Sequence, residues 1–115
     1  MTLTLYGIAN CDTVKKSRAW LDARGIAYAF HDYKKLGIDA ATLGRWADTI
    51  GWEPLLNSAG TTFRKLDDAD KADIDRDKAI ALMVVNPSLI KRPVVEGAGP
   101  LLVGFKPEAW ATHFG

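Results

Sequence analysis

Leu3-Thr4-Leu5-Tyr6-Gly7-Ile8-Ala9-Asn10-Cys11-Asp12-Thr13-Val14 decides how this chain is read. Leu3 to Ile8 is an apolar, strand-like run. At Asn10-Cys11-Asp12-Thr13 it gives way to a stretch with helical spacing that ends near Gly25. In that stretch Val14 and Leu21 lie two turns apart on one face, flanked by Trp20 and Ala23, while Lys15, Lys16, Arg18 and Arg24 are mostly outward. Ile26 to His31 then alternates Ile26, Tyr28 and Phe30 against Ala27, Ala29 and His31, which reads as a second strand. A strand, a helix and a strand in that order predict parallel pairing through a right-handed crossover.

The only cysteine of the chain stands at the first junction. A thiol reacts through its thiolate, and the N–H groups at a helix N-terminus stabilise an anion, so Cys11 is a candidate nucleophile. The competing reading is an inert small residue at a strand–helix junction. Asp12 opposes thiolate formation if its carboxylate faces the sulfur, or caps backbone N–H groups instead. Asn10, Thr13 and the surrounding N–H groups can hold negative charge on a ligand. Lys15, one turn on, either adds positive charge or is an exposed helix lysine.

Beyond the first unit, Asp32 to Gly37 reads as a basic and polar connector. Asp39 can cap a helix carrying Leu43, Trp46, Ala47 and Ile50 at i, i+3, i+4 and i+7, stopped by Gly51 and Pro54. Asn57 to Thr62 reads as a polar loop. The acidic stretch Asp67 to Asp77 reads as a solvated helix-and-turn surface, and Asp77 as the cap of a helix through Val85 that turns Ile80, Met83 and Val84 inward before Pro87. Pro93 to Glu96 and Pro100 to Val103 are short strands joined by Gly97-Ala98-Gly99, which predicts a tight antiparallel hairpin. Pro107 suits the first turn of a last helix, with Trp110, Ala111 and Phe114 on one face.

Bulk composition narrows the function classes. The chain has 115 residues, 48% hydrophobic and 25% charged, and reads as one globular domain over 1–115 with a helical insertion at about 38–90. Fifteen basic residues against fourteen acidic ones leave a net charge of +1, with no general pull toward nucleic acid or anionic membrane. One cysteine forms no internal disulfide, the start lacks a signal-peptide pattern, and no apolar run nears the roughly 20 residues of a membrane span. A cytoplasmic monomer is expected. His31 and His113 have no metal-ligand partner at useful spacing, so no metal site is expected.

The order βαβ, helical insertion, ββα, with a cysteine opening the first helix and a proline entering the third strand, resembles the thioredoxin fold. An α/β fold with a mixed sheet of about four strands is therefore expected. The resemblance implies that Pro93 faces Cys11 and follows a cis bond. Leu5 to Lys16, Phe30-His31-Asp32-Tyr33-Lys34, Gly60-Thr61-Thr62-Phe63-Arg64-Lys65-Leu66, Ile90-Lys91-Arg92-Pro93 and Gly104-Phe105-Lys106-Pro107 resemble the ArsC/Spx (arsenate reductase-like) family, and most closely its YffB-like branch. They cover essentially the whole chain in the family's order.

That resemblance implies a glutathione-dependent thiol/disulfide oxidoreductase in which Cys11 forms a mixed disulfide with glutathione. Arg64 and Arg92 stand where the family places anion ligands, and arginine's planar fork suits carboxylates and oxyanions. Lys106 stands where the arsenate reductases carry a third arginine, so the charge is kept and the fork lost. Asp12-Thr13-Val14 also departs from the Gly-Thr-Ser that follows the cysteine in those enzymes. Two alternatives follow from the same family: an arsenate reductase coupled to glutathione and glutaredoxin, and an Spx-like regulator that binds RNA polymerase without catalysis. The latter's Cys-x-x-Cys switch would need a cysteine where Val14 stands. Glutathione is the expected co-substrate, glutaredoxin a candidate partner, and no tightly bound cofactor is implied.

Overall fold

In the computed structural model, which describes residues 3–97 and 99–114, β1 (Thr4–Gly7) hands over to α1 (Asp12–Ala23) at the Asn10–Cys11 turn. Two compact units make up the chain, one from residues 1–35 and 92–115 and the other from residues 36–91.

The first unit carries a four-stranded mixed sheet in the order β2-β1-β3-β4, with β2 at Ala29–Asp32, β3 at Val94–Glu96 and β4 at Leu102–Val103. β1 pairs parallel with β2 and antiparallel with β3, and β3 pairs antiparallel with β4, as the βαβ and hairpin readings expect. The hairpin connection runs through Ala98, which lies outside the described residues. β2 begins at Ala29 and not at Ile26, because the chain is still closing α1. The N–H of Ile26 bonds to the carbonyl of Leu21, that of Gly25 to Asp22, and Gly25 takes φ +66. This left-handed helix end uses Ile26 before the N–H of Ala29 reaches the carbonyl of Leu3 at 2.8 Å.

One sheet face is covered by α1 and by α7 (Pro107–Phe114), which bury Val14, Leu21 and Trp110 against Leu3, Leu5 and Val95. Trp110 stacks edge-on with Trp20 at 5.7 Å and Phe105 at 4.9 Å. Ala111, expected on that face, is exposed, because Trp110 and Phe114 one turn apart already span it. Ser17, unremarked in sequence, is fully buried; its hydroxyl donates to the carbonyl of Val14 at 2.8 Å, which satisfies it inside the core. A Cβ on Gly7 would lie 2.8 Å from Val14 Cγ2, so glycine is what lets α1 close on β1.

The second unit is helical. α3 (Ala40–Ile50) buries Leu43, Trp46 and Ala47, and its cap is Asp39, which accepts the N–H of Thr42 at 2.8 Å. α4 (Thr61–Arg64) and α5 (Asp68–Lys71) are single turns, the first beginning inside the expected 57–62 loop. α6 (Arg76–Val85) is capped by Asp75 and not Asp77. Asp75 accepts the N–H of Lys78 at 2.9 Å, whereas Asp77 sits in the first turn and pairs with Arg76. Ala79, Ile80 and Met83 join Leu55, Leu56, Leu89 and Ile90 in this unit's core. Arg76 spans α3 and α6, donating to Asp48 at 3.0 Å and to the Gly44 carbonyl. Among the described residues no helix is long and apolar enough to cross a membrane.

Candidate active site

Three strand ends of the first unit meet at one level. β1 and β2 pair Gly7 with Asp32, so the next residues, Ile8 and Tyr33, stand side by side. β1 and β3 pair Tyr6 with Val94, which sets Pro93 opposite Gly7 and Arg92 level with Ile8. Cys11 follows directly, held by its own N–H bond to the carbonyl of Ile8 at 3.2 Å. Residues 11, 33 and 92 are thus brought together by register, although they are far apart in sequence.

Cys11 is partly buried at the N-cap of α1, with extended backbone (φ -101, ψ 125) that aims its side chain along the helix start. Burial alone pushes the thiol up. The N–H of Val14, the Arg92 guanidinium and the N–H of Thr13 outweigh it, and the thiol lies below its ordinary range. The two N–H groups support the sulfur without closing a formal side-chain cap. Arg92 donates to Cys11 and to Tyr33; burial opposes its charge, but these neighbours hold the guanidinium firmly protonated. Tyr33 is 0% exposed, and burial keeps its phenol neutral far above the usual range despite Arg92 beside it.

A short helix explains how Tyr33 is aimed. The stretch Asp32 to Gly37, expected as a connector, contains α2 (Tyr33–Leu36). Its start is capped by Asp32 Oδ1, which accepts the N–H groups of Lys34 at 3.0 Å and Lys35 at 3.3 Å. Sequence reading passed over Tyr33 as one residue of a polar stretch. Two signals were there: an aromatic residue directly after a strand, and an aspartate placed to cap the residues after it.

The other expected residues are placed as follows. Pro93 is buried at the entrance to β3 after a cis Arg92–Pro93 bond, and its carbonyl accepts from the N–H of Gly104 at 2.8 Å. Asn10 is exposed in the turn before Cys11, and Thr13 contributes its N–H with an exposed side chain. Lys15 is exposed, and its N–H continues α1 by bonding the Cys11 carbonyl at 2.9 Å. The charge held against the sulfur is that of Arg92. Lys106 is exposed before α7, its carbonyl accepting the N–H of Trp110. Arg64 belongs to the second unit, where its guanidinium donates to the Ala59 carbonyl at 2.9 Å.

A four-stranded α/β sheet with a cysteine at a helix start, beside an arginine that precedes a cis-proline, places the chain among the thioredoxin-like α/β proteins. The model of the ArsC family matches residues 6–113, and the chain belongs to that family, as an arsenate reductase-like protein. The solved structure of a protein called YffB is 59% identical, with a TM-score of 0.95, covering 99% of this chain and 100% of that one. An arsenate reductase (ArsC) related protein from Brucella melitensis is 54% identical, with a TM-score of 0.78, over 99% and 95% of the two chains. An uncharacterised protein of Haemophilus influenzae is 39% identical over 97% of this chain and 98% of its own length.

Proposed function

We propose that the chain is a glutathione-dependent thiol–disulfide oxidoreductase with Cys11 as its nucleophile. The observation that carries this reading is the thiolate support at Cys11: two helix N-terminal N–H groups and the Arg92 guanidinium, in a chain with one cysteine. With no second cysteine to resolve an intermediate, the resolving thiol comes from outside.

The steps balance with glutathione as donor. The Cys11 thiolate attacks the glutathionyl sulfur of a mixed disulfide R–S–S–G; the Cys11–S–S–G bond forms and RS⁻ leaves. A second glutathione thiolate then attacks the glutathione sulfur of that adduct, releasing oxidised glutathione and restoring the Cys11 thiolate. Arg92 stabilises the thiolate both before attack and as it leaves.

Mass spectrometry after exposure to oxidised glutathione tests the first step. A single glutathione adduct on Cys11, absent in Cys11→Ser, is expected. No adduct on the wild type, with Cys11 alkylating like a free thiol, sinks the reading. Arsenate as substrate, suggested by the Brucella relative's description, is separated by glutathione-coupled arsenate turnover in the presence of glutaredoxin.

A further inference from the structure

Beside Cys11 the first unit has an open groove of about 400 Å³, lined by Ile8, Ala9, Asn10, Asp32, Lys34 and Lys35. Its volume is in the range of small-ligand sites, about 300–1,000 Å³. One wall is the turn that ends in Cys11. The other is the start of α2, whose Tyr33 lies with Arg92 at the sulfur. The groove therefore reaches Asn10, one residue before the nucleophile, on one side, and Asp32 and Lys34, the residues either side of the buried Tyr33, on the other.

The charges lining it are mixed in a particular way. Lys34 and Lys35 are exposed and cationic, and Asp32 between them and the sheet is a carboxylate that is 9% exposed. Asp32 Oδ1 takes two N–H groups, leaving capacity on a carboxylate that offers about four acceptor sites. A phosphate or a lone carboxylate would meet Asp32 unfavourably, and a simple cation would meet the lysines. An α-amino-acid end, ammonium and carboxylate on one carbon, meets both.

Resting on the glutathione reading above, we propose that this groove seats the γ-glutamyl end of glutathione. Asp32 accepts from its α-ammonium, and Lys34, Lys35 and the Asn10 side chain hold its α-carboxylate. Because the glutamate is linked through its side chain, seven bonds separate its α-carbon from the cysteine sulfur, about 9 Å when extended, a reach that suits a groove beginning one residue before Cys11. The glycine end, a carboxylate without an ammonium, is left to other parts of the site.

Rates of mixed-disulfide formation on Cys11 test this. The disulfides used are oxidised glutathione, oxidised γ-glutamylcysteine and oxidised cysteinylglycine, each rate divided by that of uncharged hydroxyethyl disulfide. In the wild type the first two quotients should exceed the third several-fold. The variant Lys34→Ala/Lys35→Ala removes two exposed side chains and keeps the backbone cap. It should lower the first two quotients about fivefold, the size expected of exposed ion pairs, and leave the third within about twofold. Quotients that stay the same in the variant, or a fall shared equally by cysteinylglycine, overturn the γ-glutamyl seat while the glutathione chemistry of Cys11 stands. Failure of Cys11 to react with any of these disulfides faster than a free thiol removes the parent reading and the seat with it.

Discussion

Arg92→Met removes the one full charge that supports the Cys11 thiolate, leaving the N–H groups of Val14 and Thr13 in place. A hydrogen bond from a charged donor contributes about 1.5–3 kcal/mol. Cys11 is partly open to water, so the lower figure applies. About 1.5 kcal/mol is roughly a tenfold loss of thiolate at any pH well below the thiol's midpoint. Nucleophilicity moves the other way: with a Brønsted slope of about 0.4–0.5, the more basic thiolate of the variant attacks about threefold faster. The net expectation is alkylation about threefold slower at low pH and about threefold faster at the high-pH plateau, with the midpoint moved toward the ordinary value of about 8.5. Because the chain has one cysteine, iodoacetamide reads one site, and its rate is followed from about pH 5 to about pH 10. Arg92→Lys keeps the charge and should lie between the two curves. The folded-state thiol is depressed, so its contribution to stability is present above the ordinary value and lost as pH falls through the folded midpoint, and the variant shrinks it. Superimposed pH profiles for wild type and Arg92→Met would refute the role given to the guanidinium.

Gly7→Ala forces a Cβ to 2.8 Å from a branched, fully buried valine, so it should lower stability to urea by about 1–3 kcal/mol and slow Cys11 alkylation by displacing the start of α1. An unchanged midpoint would mean that α1 has slack against β1. Tyr33 should stay a phenol through the ordinary tyrosine range of about 10, so Tyr33→Phe should leave the tyrosinate absorbance that the folded protein gains over that range unchanged; a loss of one tyrosine's amplitude would overturn it. Asp75→Ala should lower stability by about 1 kcal/mol through the lost α6 cap, while Asp77→Ala stays within about 0.5 kcal/mol; the reverse order would restore Asp77 as the cap.

What sequence made legible follows periodicity and local chemistry. The βαβ order, the Asp39 cap, the β3–β4 pairing and the start of α7 at Pro107 each depend on residues within a few positions of one another. Asp75 and Asp77 are both plausible caps by type, and only the position of the first helical N–H groups separates them. β2 was shifted because Ile26 and Tyr28 are half-buried as a strand would have them, yet Ile26 gives its N–H to the end of α1. At the candidate site, Cys11 and Arg92 could be picked out, one by its place at a helix start and the other by a motif. Tyr33 is only half legible: its place after a strand and beside a capping aspartate is local, but its part in the site depends on β1–β2 register and on burial, which neighbouring residues do not carry.

The chemistry of Tyr33 accounts for why a tyrosine, and not an acid, accompanies Arg92. A carboxylate accepting from the guanidinium would orient it equally well but would cancel its charge, and the thiolate would lose its Coulombic support. Burial keeps the Tyr33 phenol neutral, so it can accept from Arg92 and leave the positive charge to the sulfur. The adjacent carboxylate, Asp32, accepts from the N–H groups of Lys34 and Lys35 and so holds Tyr33 in place from behind. Neutral acceptor in front and charged acceptor behind is the arrangement that orients an arginine without neutralising it. Tyr33→Glu should therefore raise the midpoint of Cys11 alkylation even though it leaves Arg92 with an acceptor, whereas Tyr33→Phe should move it far less. Equal midpoints for the two variants would mean that the charge of Arg92 does not reach the sulfur.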